Sequence, residues 1–221
     1  MRAGRRLEAD GAGIAVGVVA LALLELVPAI DLDVAGWFYR PGVGFPLAPL
    51  PLFRFAMAAL PIAAIGGTVV AGLLAAASVP RRRSLGVTPR QAVFLALSLA
   101  LGPGVLVNAV LKDHWGRARP HQILEFGGAA HFTPVLDLAD QCDRNCSFPS
   151  GHGALGFWLI AFAILVPDRW KLAASILAMI IGILVGIMRI AQGAHFLSDV
   201  VAAAVLVFFV NICLKRLIIG R

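Results

Sequence analysis

The sequence predicts an all-α, polytopic membrane protein with six transmembrane helices. Hydrophobic residues make up 60% of its 221 residues and charged residues only 14%, and the mean hydropathy is +0.88. A water-soluble domain of this length could not cover its surface with so few charges, so we expect a bilayer as its solvent. A helical span needs roughly 20 apolar residues. The candidate spans lie at about residues 12–30, 55–79, 91–111, 151–167, 172–188 and 197–214.

The chain is predicted to form one domain over residues 1–221, because no long-period repeat or low-complexity linker divides it. Its first apolar stretch follows three arginines and resembles a signal peptide, but no A-x-A cleavage site follows convincingly. We therefore expect a retained helix. Glu25 is the only carboxylate in the middle of a span. It is open to two interpretations, a functional intramembrane group or a paired structural one.

The basic residues predict the orientation of the spans. With the N-terminus in the cytoplasm, twelve of the nineteen lysines and arginines fall on inner segments and seven on outer ones, as the positive-inside rule requires. The net charge of +7 is thereby explained without a nucleic-acid partner. The inner residues are Arg2, Arg5, Arg6, Arg81, Arg82, Arg83, Arg90, Arg169, Lys171, Lys215, Arg216 and Arg221; the outer ones are Arg40, Arg54, Lys112, Arg117, Arg119, Arg144 and Arg189.

Three polar clusters stand at the outer ends of the predicted spans. They are LKDHWGRARP (111–120), FPSGH (148–152) and MRIAQGAHFLSDV (188–200). Because consecutive spans alternate in direction, all three clusters are expected to meet at one face of the membrane.

The clusters contain the components of a phosphate site. Lys112, Arg119 and Arg189 are cations beside apolar helices, where an unpaired charge is costly. Guanidinium groups bind phosphate oxygens bidentately, and lysine adds a point charge. Ser150 and Gly151 add a hydroxyl and a backbone N–H near a helix N-terminus. Any single arginine could instead anchor a lipid headgroup. His114 and Arg117 are further candidates to line the pocket or to contact a headgroup.

His195 and Asp199 are four residues apart and would share one face of a helix. Asp199 could fix the imidazole tautomer and leave the other nitrogen nucleophilic. His152 would then be available as a general acid. The same three side chains could hold zinc or iron. The three neighbouring cations argue against a divalent ion, so we predict neither a metal nor a cofactor.

Cys142 and Cys146 lie in the long outer loop, in QCDRNCSF. An oxidising compartment would permit a disulfide between them. The alternative is a pair of free or metal-binding thiols. A bridge across three intervening residues is feasible in a turn and strained in a regular helix.

The three motifs resemble the signature of the type 2 phosphatidic acid phosphatase (PAP2) superfamily: K-x6-R-P at 112–120, P-S-G-H at 149–152 and R-x5-H-x3-D at 189–199. The resemblance implies a PAP2-type helical bundle in which His195, oriented by Asp199, attacks phosphorus and His152 protonates the leaving alcohol. It also implies that Lys112, Arg119, Arg189, Ser150 and Gly151 bind the phosphate without a metal. Met188 departs from the pattern, since many members have serine there.

Additional stretches, including KDHWGRARP, QCDRNCSF and VPAIDLDVAGWFY, resemble the bacterial lipid A 4′-phosphatase branch of that family. This resemblance implies a periplasm-facing enzyme of the inner membrane, with both termini cytoplasmic and a phosphorylated lipid such as lipid A as its partner. Undecaprenyl diphosphate, phosphatidylglycerophosphate and lipid phosphotransfer are the enzymatic alternatives. A transporter or a lipid-binding protein is the non-enzymatic one, disfavoured because the ionisable groups cluster at one face. The oligomeric state is not predicted.

Overall fold

The computed structural model describes residues 2–81 and 86–220, and the side chains of residues 11–78 and 86–220. These residues form seven main helices and, within the described ranges, no β-strand longer than an isolated bridge. The helices are α1 (Arg2–Leu26), α2 (Ala29–Gly36), α3 (Pro51–Arg81), α4 (Pro89–His114), α5 (Gly151–Leu165), α6 (Asp168–Ala191) and α7 (Leu197–Ile219). Of the charges used to predict orientation, Arg82, Arg83 and Arg221 lie outside the described residues, as do the side chains of Arg2, Arg5, Arg6 and Arg81.

The all-α prediction is confirmed over the described residues, but the prediction of six transmembrane helices is not. By length and composition, α3, α4, α6 and α7 can each cross a membrane. Helices α1 and α2 qualify only as a pair, and a 92° bend separates them. Helix α5 is apolar but too short to meet the same test. The described residues therefore contain four candidate spans, or five if the bent pair counts as one.

The first predicted span, residues 12–30, is interrupted by the bend between α1 and α2. Pro28 stands immediately before α2, and proline cannot donate the backbone hydrogen bond that would continue the first helix. Beyond the bend, α2 packs against α6 and α7. At the end of α1, the Glu25 carboxylate accepts the backbone N–H of Leu136 at 2.9 Å, which favours the structural interpretation of Glu25.

Helix α4 begins at a capping box and changes its winding on the way to the site. Thr88 accepts the Gln91 N–H at 3.3 Å, and the Gln91 side chain accepts the Thr88 N–H at 2.8 Å. From Ala100 to Leu111 the helix is π-helical and includes Pro103. The Asn108 side chain donates to the Pro103 carbonyl at 2.6 Å. Helix α4 then ends with Lys112 in its last turn.

Helix α5 lies at the centre of the bundle, packed against α3, α4, α6 and α7. Its Trp158 is fully buried and donates from the indole N–H to the Ser98 hydroxyl at 2.9 Å. Gly182 of α6 allows the close approach, because a Cβ there would lie 2.3 Å from the Phe157 ring. This packing holds α5 and α6 close together.

Candidate functional site

The segments that carry the three motifs are tied together at one end of the bundle. The Ser150 N–H donates to the Asp199 carbonyl at 3.1 Å, which joins the start of α5 to the start of α7. Two loop N–H groups, those of Cys146 and Ser147, donate to the carbonyls of Lys112 and Arg117 at 3.1 and 2.8 Å. The predicted convergence of the motifs is thus present in the structure.

Three cations gather at this end, close enough to interact electrostatically. The charge of Arg119 acts on both Lys112 and Arg189, and the charge of Arg189 acts on Lys112. The Lys112 side chain is only 7% exposed, and it makes no hydrogen bond to another described residue. Arg189 donates from Nη1 to the Gln192 side chain at 2.6 Å. Three positive charges held together in a partly buried place form a site for an anion.

His195 is fully buried among these cations. Its Nδ1 atom lies 3.6 Å from Oδ2 of Asp199, slightly longer than a hydrogen bond. Burial, together with the positive charges of Lys112 and Arg189, lowers the pKa of His195 to about 3, against the opposing effect of the Asp199 carboxylate. The imidazole is therefore neutral at physiological pH, the state in which a ring nitrogen can act as a nucleophile.

Three polar atoms at this site are buried without a hydrogen-bond partner among the described residues: Nε of Arg189 and both ring nitrogens of His195. Leaving a buried donor or acceptor unpaired costs roughly 1–3 kcal/mol each. Native proteins leave few such groups, and those that remain require an explanation. Their concentration beside the three cations indicates that a bound anion would complete the site.

The Asp199 carboxylate is held rigidly in place. Its Oδ1 accepts from the Arg117 guanidinium at 2.6 Å, and its Oδ2 accepts from the Ser147 hydroxyl at 2.5 Å and from the Phe196 N–H at 2.8 Å. The same Oδ2 lies 3.6 Å from Nδ1 of His195. The carboxylate is therefore positioned to orient the imidazole, as its spacing in the sequence predicts.

Arg117 does not line the site, contrary to the sequence-based prediction. It is fully buried and makes four hydrogen bonds, to Thr133, Ser198, Asp199 and Asp31. Its guanidinium also lies 4.5 Å from the centroid of the Phe196 ring, an arrangement that favours a cation–π interaction. Because its donors face other protein groups, Arg117 cannot contact a substrate. It holds the Asp199 carboxylate in place instead.

His114 is not brought into the site either. Its side chain is exposed, and its Nδ1 atom lies 2.6 Å from the carbonyl of Val110 in the preceding turn of α4. Within the described residues its side chain makes no hydrogen bond to any other predicted site residue. The proximity of His114 to Lys112 in the sequence is misleading, because residues two apart on a helix point in directions about 200° apart, on nearly opposite faces.

Ser150, Gly151 and His152 open helix α5 as the sequence predicts. The Ser150 hydroxyl caps the helix by accepting the Gly153 N–H at 3.2 Å and keeps its own proton free to donate. A Cβ at Gly151 would lie 2.4 Å from Oδ1 of Asn108, so only glycine permits this approach. His152 is half-buried, and the charges of Arg189, Lys112 and Arg119 all act on it.

Cys142 and Cys146 are joined by a disulfide, with their Cα atoms 5.6 Å apart. Among the described residues, no three His, Cys, Asp or Glu side chains are arranged to ligate a metal ion. The absence of a metal or cofactor in the reaction stays a prediction.

Sequence reasoning missed several residues that hold the predicted ones. Asp31 accepts from Arg117 at 2.9 Å and from the Ser198 N–H at 2.9 Å, and the Ser198 hydroxyl is a further partner. Gln192 and Asn145 hold two of the cations. The sequence signal for Asp31 is a pair of carboxylates, Asp31 and Asp33, in the otherwise apolar stretch VPAIDLDVAG. The residues missed are Asp31, Asn108, Asn145, Ser147, Gln192 and Ser198.

Fold and site together define a helical membrane protein with an anion site at one end of its bundle, where three cations surround a buried histidine–aspartate pair. The model of the PAP2 superfamily matches residues 91–219, which include every one of these groups. The chain belongs to the PAP2 superfamily.

Curated relatives resemble the same part of the chain. A lipid A 4′-phosphatase of Francisella tularensis subsp. novicida (strain U112) is 47% identical over 121 residues, which are 54% of this chain and 54% of the relative. A lipid A 4′-phosphatase of Rhizobium leguminosarum is 48% identical over 104 residues, 47% of this chain and 45% of the relative. The matches thus span about half the length of these relatives.

A third relative, phosphatidylglycerophosphatase B of Bacillus subtilis (strain 168), is 32% identical over 125 residues, 52% of this chain and 54% of the relative. The crystal structure of a transmembrane PAP2-type phosphatidylglycerolphosphate phosphatase from Bacillus subtilis superposes with a TM-score of 0.58, covering 94% of both chains at 21% identity. This structural likeness extends the shared fold beyond the matched motifs to nearly the whole chain.

Proposed function

We propose that this protein is an inner-membrane phosphatase that hydrolyses a lipid phosphomonoester at the periplasmic face, with the 4′-phosphate of lipid A as its substrate. The observation that carries the proposal is the set of unpaired buried atoms on Arg189 and His195 beside the three cations. A phosphate monoester has negatively charged oxygens for the cations and a phosphorus atom for the imidazole.

In the first step, the lone pair of His195 Nε2 attacks phosphorus while the bond between phosphorus and the ester oxygen breaks. Asp199 accepts the Nδ1 proton in a hydrogen bond and stabilises the positive charge that develops on the ring. The separation of 3.6 Å shortens as the ring becomes charged, since catalytic hydrogen bonds often tighten only in the reacting complex. The negative charge of the bound phosphate offsets the three cations that act on His152, so His152 carries a proton and donates it to the departing lipid alkoxide; the product is a phosphohistidine.

In the second step, water attacks phosphorus and the bond between phosphorus and Nε2 breaks. His152, now neutral, takes a proton from the water, and inorganic phosphate leaves. Lys112, Arg119, Arg189 and the Ser150 and Gly151 donors hold the non-bridging oxygens in both steps. Removing one preorganised donor of this kind typically lowers kcat by about 100- to 1000-fold.

The substrate assignment is supported by the relatives whose names specify lipid A 4′-phosphatases. Phosphatidylglycerophosphate is the second candidate, because another relative of similar coverage is a phosphatidylglycerophosphatase. The same two steps serve either lipid, since the chemistry involves only the phosphate and its ester oxygen.

The test uses purified protein with bis-phosphorylated lipid A in the presence of EDTA, and mass spectrometry to locate any lost phosphate. We expect loss at the 4′ position, unaffected by EDTA and abolished in His195→Ala, whose unfolding temperature controls for folding. Turnover of phosphatidylglycerophosphate or undecaprenyl diphosphate but not lipid A would refute the substrate and retain the chemistry. Inactivity on all three would refute the proposed function.

A further inference from the structure

We propose that Asn145 and the Cys142–Cys146 disulfide position Arg119 for phosphate, so that the affinity of the site depends on the oxidation state of this loop. The inference rests on the proposed function, because it assumes that Arg119 binds the phosphate of the substrate. Asn145 lies between the two cysteines and is not one of the motif residues.

Arg119 is held along one edge of its guanidinium by Asn145 alone. Nε and Nη2 donate to the Asn145 backbone carbonyl at 3.2 and 2.7 Å, and Nη2 also donates to its side-chain oxygen at 3.0 Å. Nη1 makes no hydrogen bond to another described residue. The guanidinium is thus fixed through one edge, and the Nη1 donors remain free for an anion.

Asn145 is fixed in turn by its neighbours. Its N–H donates to Oδ1 of Asp113 at 2.9 Å, and the next N–H, that of Cys146, donates to the Lys112 carbonyl at 3.1 Å. The loop therefore contacts the segments of both Lys112 and Arg119. Asn145 has a φ of +52° and is the only non-glycine residue with a positive φ among the described residues. Asparagine tolerates this left-handed conformation better than most residues do.

The disulfide closes the chain on either side of Asn145. Cys146 is fully buried, whereas Cys142 is partly exposed. A dithiol reductant would supply two electrons and two protons, convert the two sulfurs to thiols, and itself become a cyclic disulfide. Opening the loop would let the Asn145 carbonyl leave the guanidinium edge. Arg119 would then occupy more rotamers, and its Nη1 group would no longer be preorganised.

The other two cations do not depend on this loop in the same way. Arg189 is held by Gln192 at 2.6 Å, and Lys112 is held by the last turn of α4 and by burial. Reduction should therefore weaken phosphate binding rather than abolish it. We expect a rise of roughly 10-fold in KM and in the inhibition constant of inorganic vanadate, comparable to losing one charge-assisted hydrogen bond. The effect on kcat should be smaller.

The experiment compares the oxidised protein, the dithiothreitol-treated protein and the double variant Cys142→Ser/Cys146→Ser in detergent. Cys213→Ser is the matched control, since Cys213 is a free cysteine outside the loop. The readouts are kcat, KM and the stabilisation against heat produced by vanadate, which needs no turnover. Reduction and the double variant should raise KM together and reduce the vanadate stabilisation, while Cys213→Ser should change neither.

A second pair of variants tests Asn145 itself. Asn145→Gly keeps the backbone carbonyl and tolerates the positive φ, whereas Asn145→Val disfavours it. We expect Asn145→Val to raise KM as reduction does and Asn145→Gly to stay within about 3-fold of the parent, having lost one weaker contact. In an Arg119→Lys background, reduction should have little further effect because both changes act on the same interaction.

The outcomes separate the inference from the function on which it rests. If the oxidised parent neither turns over a lipid phosphate nor is stabilised by vanadate, the proposed function fails. If the parent does both and the reduced protein keeps its KM and its vanadate stabilisation, the inference is overturned. A fall in kcat with unchanged KM and unchanged vanadate stabilisation also overturns it, because a smaller folded fraction lowers the maximal rate without changing the affinity of the site.

Discussion

Arg117 and Arg119 lie two residues apart and belong to two layers of the site that differ in how fully their polar groups are paired. In the inner layer, ion pairs and hydrogen bonds join the charged groups to one another. In the outer layer, donors remain free and face the place where an anion would bind. The inner layer consists of Asp31, Arg117, Ser147, Ser198 and Asp199, and the outer layer consists of Lys112, Arg119, Arg189 and His195.

The two layers differ in what they do: the inner layer holds Asp199 in place, and the outer layer binds the anion. A buried charge is stable only when it is paired and hydrogen-bonded, so the inner layer can fix Asp199 without any ligand. The outer layer leaves buried groups unpaired on Arg189 and His195, which costs stability until an anion arrives. The same residue type, arginine, thus has a structural part in one layer and a binding part in the other.

The largest effect is expected from Arg117→Met, which removes the only cation that contacts Asp31 and Asp199 among the described residues. It leaves two buried carboxylates without their partner. Breaking a buried pair in this way destabilises proteins by about 3–5 kcal/mol. The measurement is the thermal unfolding of the purified protein in detergent. Adding Asp31→Asn should restore part of the loss, and an unchanged unfolding temperature in Arg117→Met would show that the inner layer does not support the fold.

A somewhat smaller effect, on activity instead of stability, is expected from Arg119→Met, the same change two residues on. It removes one preorganised donor from the outer layer, so kcat/KM should fall by about 100- to 1000-fold. The unfolding temperature should fall much less than in Arg117→Met, because Arg119 is only partly buried and its guanidinium bonds only to the exposed Asn145. His114→Ala, an exposed change in the same segment, is the control and should alter neither quantity. Equal activity in Arg119→Met and His114→Ala would contradict the outer layer as defined.

The division between the layers could not be predicted from sequence, although much of the site could. The convergence of Lys112, Ser150, Arg189 and His195 follows from alternating helix direction and from motif spacing. In the sequence RAR at 117–119, however, nothing indicates which of the two arginines would bind the phosphate. The partner that buries Arg117 is Asp31, 86 residues earlier, and it packs there only because the chain bends at Pro28. Sequence patterns of period 3.6 predict which residues share a face of one helix, but they do not predict a pair as distant in the sequence as Arg117 and Asp31.

The prediction of six spans is not confirmed over the described residues, for a related reason. Residues 151–167 are apolar, but the helix they form begins at Gly151 and ends at Leu165, because Ser150 caps its start and Pro167 follows its end. Residues 12–30 read as one continuous apolar stretch, yet their helix ends at Leu26 before a bend. Hydropathy indicates whether a segment is suited to lipid or to water. Where its helix ends and which way it points depend on local caps and on packing. The helical class could therefore be predicted from the sequence, whereas the count of six spans is not confirmed over the described residues.

The smallest effect concerns pH and the unpaired histidine of the outer layer. The folded pKa of His195 is lowered to about 3, below the ordinary value of about 6.5 that we take for the unfolded chain. Between these values only the unfolded chain binds a proton, so acid favours unfolding. The stability is complete above the unfolded pKa and falls as the pH drops from about 6.5 towards 3. At pH 5 the loss from this one group should be about 2 kcal/mol.

His195→Gln isolates that contribution, because glutamine does not titrate and keeps a polar side chain in the same place. The groups that act on the imidazole, namely Lys112, Arg189 and Asp199, are the same in both proteins. Thermal unfolding at pH 7.5 and pH 5 should therefore show a larger acid-induced decrease in the parent than in the variant. Vanadate should reduce the difference, since an anion that pairs with a charged imidazole lets the folded protein accept the proton too. Parallel decreases in parent and variant would mean that His195 is already paired in the free protein, and the contrast between the two layers would then lose its basis.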